Sequence, residues 1–293
     1  MKKSLNPMNF MKIAPFALAL SLLIFTSCTN EEEESIPEIA NGELITVAEL
    51  QVSDETEMIS EEVSSIAEDV YASDEISLTG KSDYTSDYLP ECVTNTTIVT
   101  DSTREKTIDF GEGCELPNGN ILGGIITLRY AKDMEAASKS IALALENFTF
   151  NDVAIDGSAS ILRVRSNDNG NPQGVVNSSY QATWPNGDTA SFSGTRTREW
   201  VEGFGTGFWG DNVFLITGKR TYTGRLGNVY MKEVITALRR ELSCRFIVSG
   251  VLEISRNDTM ASLDFGDGSC DAKGVLTQPD GTENEIFLRR FLK

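Results

Sequence analysis

The chain has 293 residues with 44 acidic and 25 basic side chains, a formal net charge of −19 and no histidine. That charge argues against nucleic acid as a partner, because nucleic-acid binders present a basic face. The lack of histidine excludes a Ser-His-Asp triad, a Cys-His pair, a His-ligated zinc and a His-held haem. Apolar residues make up 40% and charged residues 24%, enough to build a core in one large domain or two small ones.

Lys2, Lys3 and Lys12 open the chain with positive charge, and 13–25 is apolar except for Pro15 and Ser21. A stretch of this length is too short to span a bilayer and fits the apolar region of a signal peptide over 1–27. Its end, Leu23-Ile24-Phe25-Thr26-Ser27-Cys28, resembles the lipobox of bacterial lipoproteins, with Phe25 where leucine is more usual. The resemblance implies cleavage before Cys28 and lipid on its sulfur and amine, a stable anchor because several acyl chains are attached. The run Glu31 to Glu34 follows at once. It resembles the surface-export signal of Bacteroidota lipoproteins and implies an outer-membrane lipoprotein displayed on the cell surface.

The charge is concentrated in an arm, 28–91, with 19 acidic residues and one lysine; 92–293 holds 25 acidic and 21 basic residues. Self-repulsion predicts an extended, solvated tether. Within it Ile59, Val63, Ile66 and Val70 recur at helical spacing, opposite a face rich in acids. An amphipathic helix is expected over 54–72, capped by Ser53 or Asp54 and packed on the body or on a partner. A linker is expected over 73–91.

From Cys92 onward, β-branched and aromatic residues alternate with turn signals. Turns are expected at Asn118-Gly119, Asp156-Gly157, 167–170, 185–188, Gly227-Asn228, 256–258 and 279–281. Period-two alternation is plain where Leu162 and Val164 oppose Arg163 and Arg165. The stretch 229–242 is ambiguous, and its Val, Tyr, Ile and Thr content favours a strand. The fold expected is all-β: an antiparallel sandwich or rolled sheet of about a dozen strands, preceded by the acidic arm with its one helix.

The box Asp109-Phe110-Gly111-Glu112-Gly113-Cys114 is echoed by Asp264-Phe265-Gly266-Asp267-Gly268-Ser269-Cys270. This is an internal repeat at the two ends of the body. Four cysteines beside Cys28 allow three pairings. Cys92 and Cys114 are equidistant from a turn centred near 103, and Cys244 and Cys270 from one centred on 257. Cross-strand geometry therefore predicts Cys92–Cys114 and Cys244–Cys270. Together with 184–187, 194–200 and 244–251, the twin boxes resemble an uncharacterised family of Bacteroidota surface lipoproteins. The resemblance covers 92–293 and implies surface display and a β-rich body, without an activity.

Few motifs carry chemistry. The Asp-Phe-Gly boxes lack the other elements of a kinase, and Gly205-Thr206-Gly207-Phe208-Trp209-Gly210 has no helix to receive a pyrophosphate. Asp264, Asp267 and Asp271, or Asp109, Glu112 and Glu115, are a weak calcium candidate, since turn formation explains the same residues. The stretch 199–212 is richer, with Trp200, Phe204, Phe208 and Trp209 among glycines and beside Glu199 and Glu202. Rings flanked by carboxylates suit a sugar or a protein partner, whereas rings that cap the open end of the body are the simpler account. No catalytic residue, metal ligand or cofactor is assigned. The sequence points to a non-catalytic binding or structural module of the envelope. The alternatives are glycan capture through 199–212 and a carboxylate-dependent hydrolase built on Glu199 and Glu202.

Overall fold

The computed structural model describes residues 44–80 and 84–288; the signal segment, Cys28 and the 31–34 run lie outside the described residues. It contains one long helix, α1 (Val47–Thr79), and fourteen strands. Thr46 caps the helix, its hydroxyl accepting the Glu49 N–H at 3.3 Å and donating to the Glu49 carboxylate at 3.1 Å. The first of these bonds satisfies one of the N–H donors that the first turn leaves free. At the far end the Gly80 N–H returns to the Ile76 carbonyl. The helix is therefore longer than the expected 54–72, and Ser53 and Asp54 lie inside it, buried, rather than at its cap.

The strands are β1 (Thr94–Val99), β2 (Thr103–Asp109), β3 (Cys114–Glu115), β4 (Ile121–Ala131), β5 (Ser138–Phe150), β6 (Val153–Val164), β7 (Gln173–Thr183), β8 (Thr189–Glu202), β9 (Val213–Thr223), β10 (Val229–Glu241), β11 (Ile247–Arg256), β12 (Thr259–Asp267), β13 (Lys273–Thr277) and β14 (Glu283–Phe287). They form one continuous antiparallel sheet in the order β1-β2-β4 through β14, with β3 paired to β4; the sheet is not closed into a barrel. The ambiguous 229–242 stretch is thus a strand.

The sheet rolls around α1. From Val52 to Ala72 every helix residue is buried, whichever way it points. An extended, solvated acidic arm is therefore not what 47–79 forms. Its apolar stripe, Ile59, Val63, Ile66 and Val70, packs into the same core as Ile108, Phe110, Phe148, Ile161 and Val176. At about 1.5 Å per residue the helix is about 50 Å long, enough to serve as a spine for strands laid around it.

Such curvature needs backbone that an L side chain cannot supply. The expected turn at Asp156-Gly157 is instead the middle of β6, where Asp156 pairs with Gln181 and Gly157 with Tyr180. The turn itself comes earlier, at Asn151 and Asp152, both with positive φ. Gly157 and Gly194 have φ of +131° and +149° within strands, and a Cβ there would stand 2.1 Å and 2.4 Å from carbonyl oxygens of the neighbouring strand. Glycine kinks of this kind bend a sheet.

Both expected disulfides form, with Cα–Cα distances of 5.9 Å for Cys92–Cys114 and 5.7 Å for Cys244–Cys270. The first hairpin is registered Thr94 to Asp109, so Cys92 faces the Gly111 end and the following turn carries the chain to Cys114. In the second hairpin the register shifts at Gly250, between Ser249 and Val251.

Gly194→Ala is expected to lower stability by about 2 kcal/mol or more, since it adds a clash to backbone strain. Gly170→Ala, with φ +83° and nothing within 4 Å, should cost only about 1 kcal/mol. Urea unfolding of the two variants measures the difference.

Candidate functional site

Part of the inner face of the sheet reverses the usual polarity of strand alternation. In β6 it is Arg163 that is buried and Leu162 that is 46% exposed. In β8, Arg196, Arg198 and Trp200 all point inward from the stretch Gly194-Thr195-Arg196-Thr197-Arg198-Glu199-Trp200. The reason is the helix they meet. Over 47–79 it carries ten acidic residues and no base. Glu57, Glu61, Glu68 and Glu75 recur at spacings of four, seven and seven, a stripe on the side away from Ile59, Val63, Ile66 and Val70.

Glu57 is the centre of this interface. Arg196 reaches its two oxygens at 3.0 and 3.2 Å, Arg220 at 3.0 Å and Lys232 at 2.9 Å. Burial alone would raise its pKa, but the charges of Arg196, Lys232 and Arg220 override that and hold the carboxyl well below the ordinary range. One turn on, Arg198 bonds Glu61, Ser65 at 2.8 Å and Glu68 at 2.7 Å. Arg163 and Arg165 converge on Glu75 at 3.2 and 3.3 Å. On the β2 side, Asp74 takes Arg104 at 2.9 Å, Lys106 at 2.6 Å and the Tyr130 hydroxyl at 2.7 Å.

The rest of the acidic face is covered by loops. Glu62 accepts from the Tyr88 hydroxyl and, at 2.9 Å each, from the side-chain amides of Asn118 and Asn120. Glu55 accepts from Trp184 Nε1 at 2.9 Å. Asp69 accepts from the Ser86 hydroxyl at 2.8 Å, and no base lies within ion-pair distance of it among the described residues. Burial pushes its carboxyl up to about 7; the Ser86 bond opposes the shift and the Asp87 charge adds to it.

The aromatic stretch divides differently from a display surface. Trp200 is buried, edge-on to Phe204 at 5.1 Å and against Phe214 at 4.9 Å, with the Arg163 guanidinium 6.0 Å from its ring. Phe204 is partly buried in the same cluster. Trp209 stacks on Tyr88 at 6.1 Å, and its backbone N–H donates to the Asp87 carboxylate at 2.7 Å. Only Phe208, 55% exposed, faces solvent among the four rings. The loop caps one end of the rolled sheet and covers Trp200.

Glu199 accepts from the amides of Asn169 and Asn171 at 2.9 and 2.8 Å, and these bonds hold its carboxyl below the ordinary range. Glu202 is paired with Arg239 at 2.8 Å. The two carboxylates are thus engaged by different partners and do not face a common cleft residue.

The calcium candidate does not assemble. Asp109 and Asp264 accept from the N–H groups of Gly111 and Gly266, Asp267 from Ser269, and Asp271 from the Lys273 N–H. Glu112 and Glu115 are exposed. Among the described residues no group of three or more acids or cysteines could hold a metal ion. These carboxylates organise their own turns.

The acidic helix and the alternating arginines are each visible in the sequence, but no local pattern joins them. The signal that joins them is the 57, 61, 68, 75 stripe of acids opposite strands whose polar residues are arginine. Compared with protein-family models, curated proteins and solved structures, the chain has no significant match.

Glu57→Gln keeps the side-chain shape but leaves three buried bases short of a countercharge, and should cost about 3–5 kcal/mol in denaturant unfolding. Glu199→Gln, on the surface, should change little. Asp69 acts with the opposite sign. Its folded pKa lies above the unfolded value, so its contribution is complete below about pH 4 and is lost as the pH rises through about 7. Asp69→Asn, which can still accept from Ser86, should therefore stabilise the fold at pH 8 by about 2–4 kcal/mol, with the gain shrinking toward pH 5. Unfolding curves at pH 5, 6, 7 and 8 test this, and a gain that does not vary with pH would contradict it.

Proposed function

We propose that the chain is a lipid-anchored, surface-displayed lipoprotein of the outer membrane whose body is a non-catalytic binding or structural module. The observation that supports this most is the filled interior. The concave face of the sheet, where a rolled sheet would otherwise hold a ligand, is occupied by the chain's own helix. Arg163, Arg196, Arg198, Arg220 and Lys232 are committed to that helix. Recognition then falls to the convex face and to the sheet edges. Cys28 and the acidic run after it support the anchor and the display, as the sequence implies.

Glycan capture is the second reading. A shallow depression of about 450 Å³ on the convex face is lined by Ser158, Ser160, Asn177, Ser179 and Thr195, a hydroxyl-rich surface suited to polar rims of sugars. Phe208 adds one exposed ring elsewhere. The hydrolase reading rests on Glu199 and Glu202 and gains nothing from their separate engagements.

Labelled palmitate fed to expressing cells should enter the wild-type chain and not Cys28→Ala, and intact-cell proteolysis should remove the body. On a glycan array, binding that is lost in Asn177→Ala or Phe208→Ala while folding is kept would favour glycan capture. No glycan signal, with an envelope protein recovered by crosslinking on whole cells, would favour the non-catalytic envelope module.

A further inference from the structure

The open sheet has two edges, and they are built differently. The β14 edge, Glu283-Asn284-Glu285-Ile286-Phe287, carries two carboxylates, and its Phe287 carbonyl accepts from Gln51 of α1 at 2.7 Å. Charges of this kind guard an edge against stray pairing. The β1 edge has no such guard. All six of its residues are exposed, and Ile98 and Val99 are 59% and 47% exposed. From Cys92 to Thr100 there is neither a charge nor a proline.

The hydrogen-bond phase of β1 shows which of its groups turn away from β2. The Thr100 N–H donates to the Thr103 carbonyl at 2.9 Å, so Thr100 faces β2. Antiparallel bonding alternates. Ile98, Thr96 and Thr94 therefore also face β2, and the N–H and C=O groups of Asn95, Thr97 and Val99 point to the free edge. Among the described residues no strand pairs with them.

The internal repeat says what belongs there. The two boxes occupy equivalent places. Asp109 pairs across to Ile125 and Asp264 to Val275. Each Asp accepts from the glycine two residues on. Phe110 and Phe265 are buried, and each box leads to a cysteine bonded back to the start of its hairpin. Hairpin β1–β2 thus corresponds to hairpin β11–β12. In the second hairpin the outer side of β11 is covered by the antiparallel strand β10. The corresponding side of β1 is the free edge.

We propose that this edge is a dimer interface, in which β1 pairs antiparallel with β1 of a second copy and the sheet runs on from one protomer to the next. The outward groups are on odd-numbered residues, which places a two-fold axis at Thr97. Thr97 then faces Thr97 of the other copy, Asn95 faces Val99, and Thr96 faces Ile98. No charge meets a like charge in this register. Pairing of β14 with β14 would instead bring Glu283 and Glu285 against one another. Pairing of β1 with β14 would leave a free edge at each end and build an open chain, whereas the two-fold arrangement closes. One edge pair buries little area, so the dimer is of the weak, reversible class.

The test uses the full chain released from membranes. Sedimentation from about 1 to about 200 µM spans the affinity range of weak interfaces, and the wild type should pass from monomer to dimer across it. Thr97→Pro removes an outward N–H and no bond to β2; it should remain monomeric with an unchanged melting temperature. Hydrogen exchange needs no variant. The amides of Asn95, Thr97 and Val99 should slow about tenfold or more between the dilute and concentrated samples. On whole cells Thr97→Cys should form a disulfide-linked dimer, because the two Cα atoms would be about 5.5 Å apart. A wild type that stays monomeric throughout, or a dimer that survives Thr97→Pro, would overturn the proposal. So would exchange at the three amides that is slow at every concentration, which would mean that another segment of the same chain covers the edge.

Discussion

Seven carboxylates of α1 lie within 4.0 Å of ten bases from the surrounding sheet and its loops, and the fold is arranged around keeping them together and dry. Taking such groups out of water is costly, and their mutual attraction offsets that cost only when geometry is good and other bonds complete the set. Here the offset is shared. Arg196 grips Glu57 with two nitrogens, Arg198 joins two carboxylates and a serine, Tyr130 bonds Asp74 and Asn118 bonds Glu62, while one oxygen each of Glu61 and Glu68 and nitrogens of Arg163, Arg196, Arg220 and Arg240 are buried without a hydrogen bond among the described residues. Apolar packing on the other side of the helix supplies non-directional stabilisation. The ion pairs supply position. Glu57 can meet Arg196, Arg220 and Lys232 together at only one rotation and one translation of the helix within the sheet.

That constraint explains features that look unrelated along the chain. A sheet that encloses a helix must bend strongly, so glycines appear inside strands, where they would otherwise weaken them. A helix that is charged on one side and apolar on the other needs an interior that is basic on one side and apolar on the other. Arg163, Arg196 and Arg198 therefore face inward while Leu162 faces out. The loops that carry Tyr88, Asn118 and Trp209 close over what the strands leave uncovered, and the Cys92–Cys114 bridge holds one of them to the sheet. The near-neutral body and the acidic arm of the sequence are two halves of one electrostatic arrangement.

Rolling without closing also separates the two edges chemically. The β14 edge is acidic and tied to the helix through Gln51, while the β1 edge is neutral and no strand among the described residues pairs with its outward amides. With the interior filled by the helix, such edges and the convex face are the surfaces left to solvent. The aromatic stretch 199–212 spends three of its four rings on the end of the core, the simpler of the accounts its residues allow.

Much of the architecture is legible in the residues themselves. Turn residues mark most hairpins because positive φ and tight reversals need particular side chains, and cross-strand arithmetic names both disulfide pairs, although the first hairpin reverses earlier than 103 and Cys114 reaches Cys92 only through the turn after β2. Helical spacing reveals the helix, although Thr46-Val47-Ala48-Glu49 starts it earlier than Ser53 because a cap competes locally with every other cap. The sequence determined that there would be strands, a helix, two bridges and a segregated charge. The tertiary structure alone decided that the acidic segment is the interior. Local patterning treats a charged face as a solvated one, and only a partner surface brought from more than 100 residues away, Arg196, Arg220 and Lys232 against Glu57, overrides the cost of burying that carboxylate.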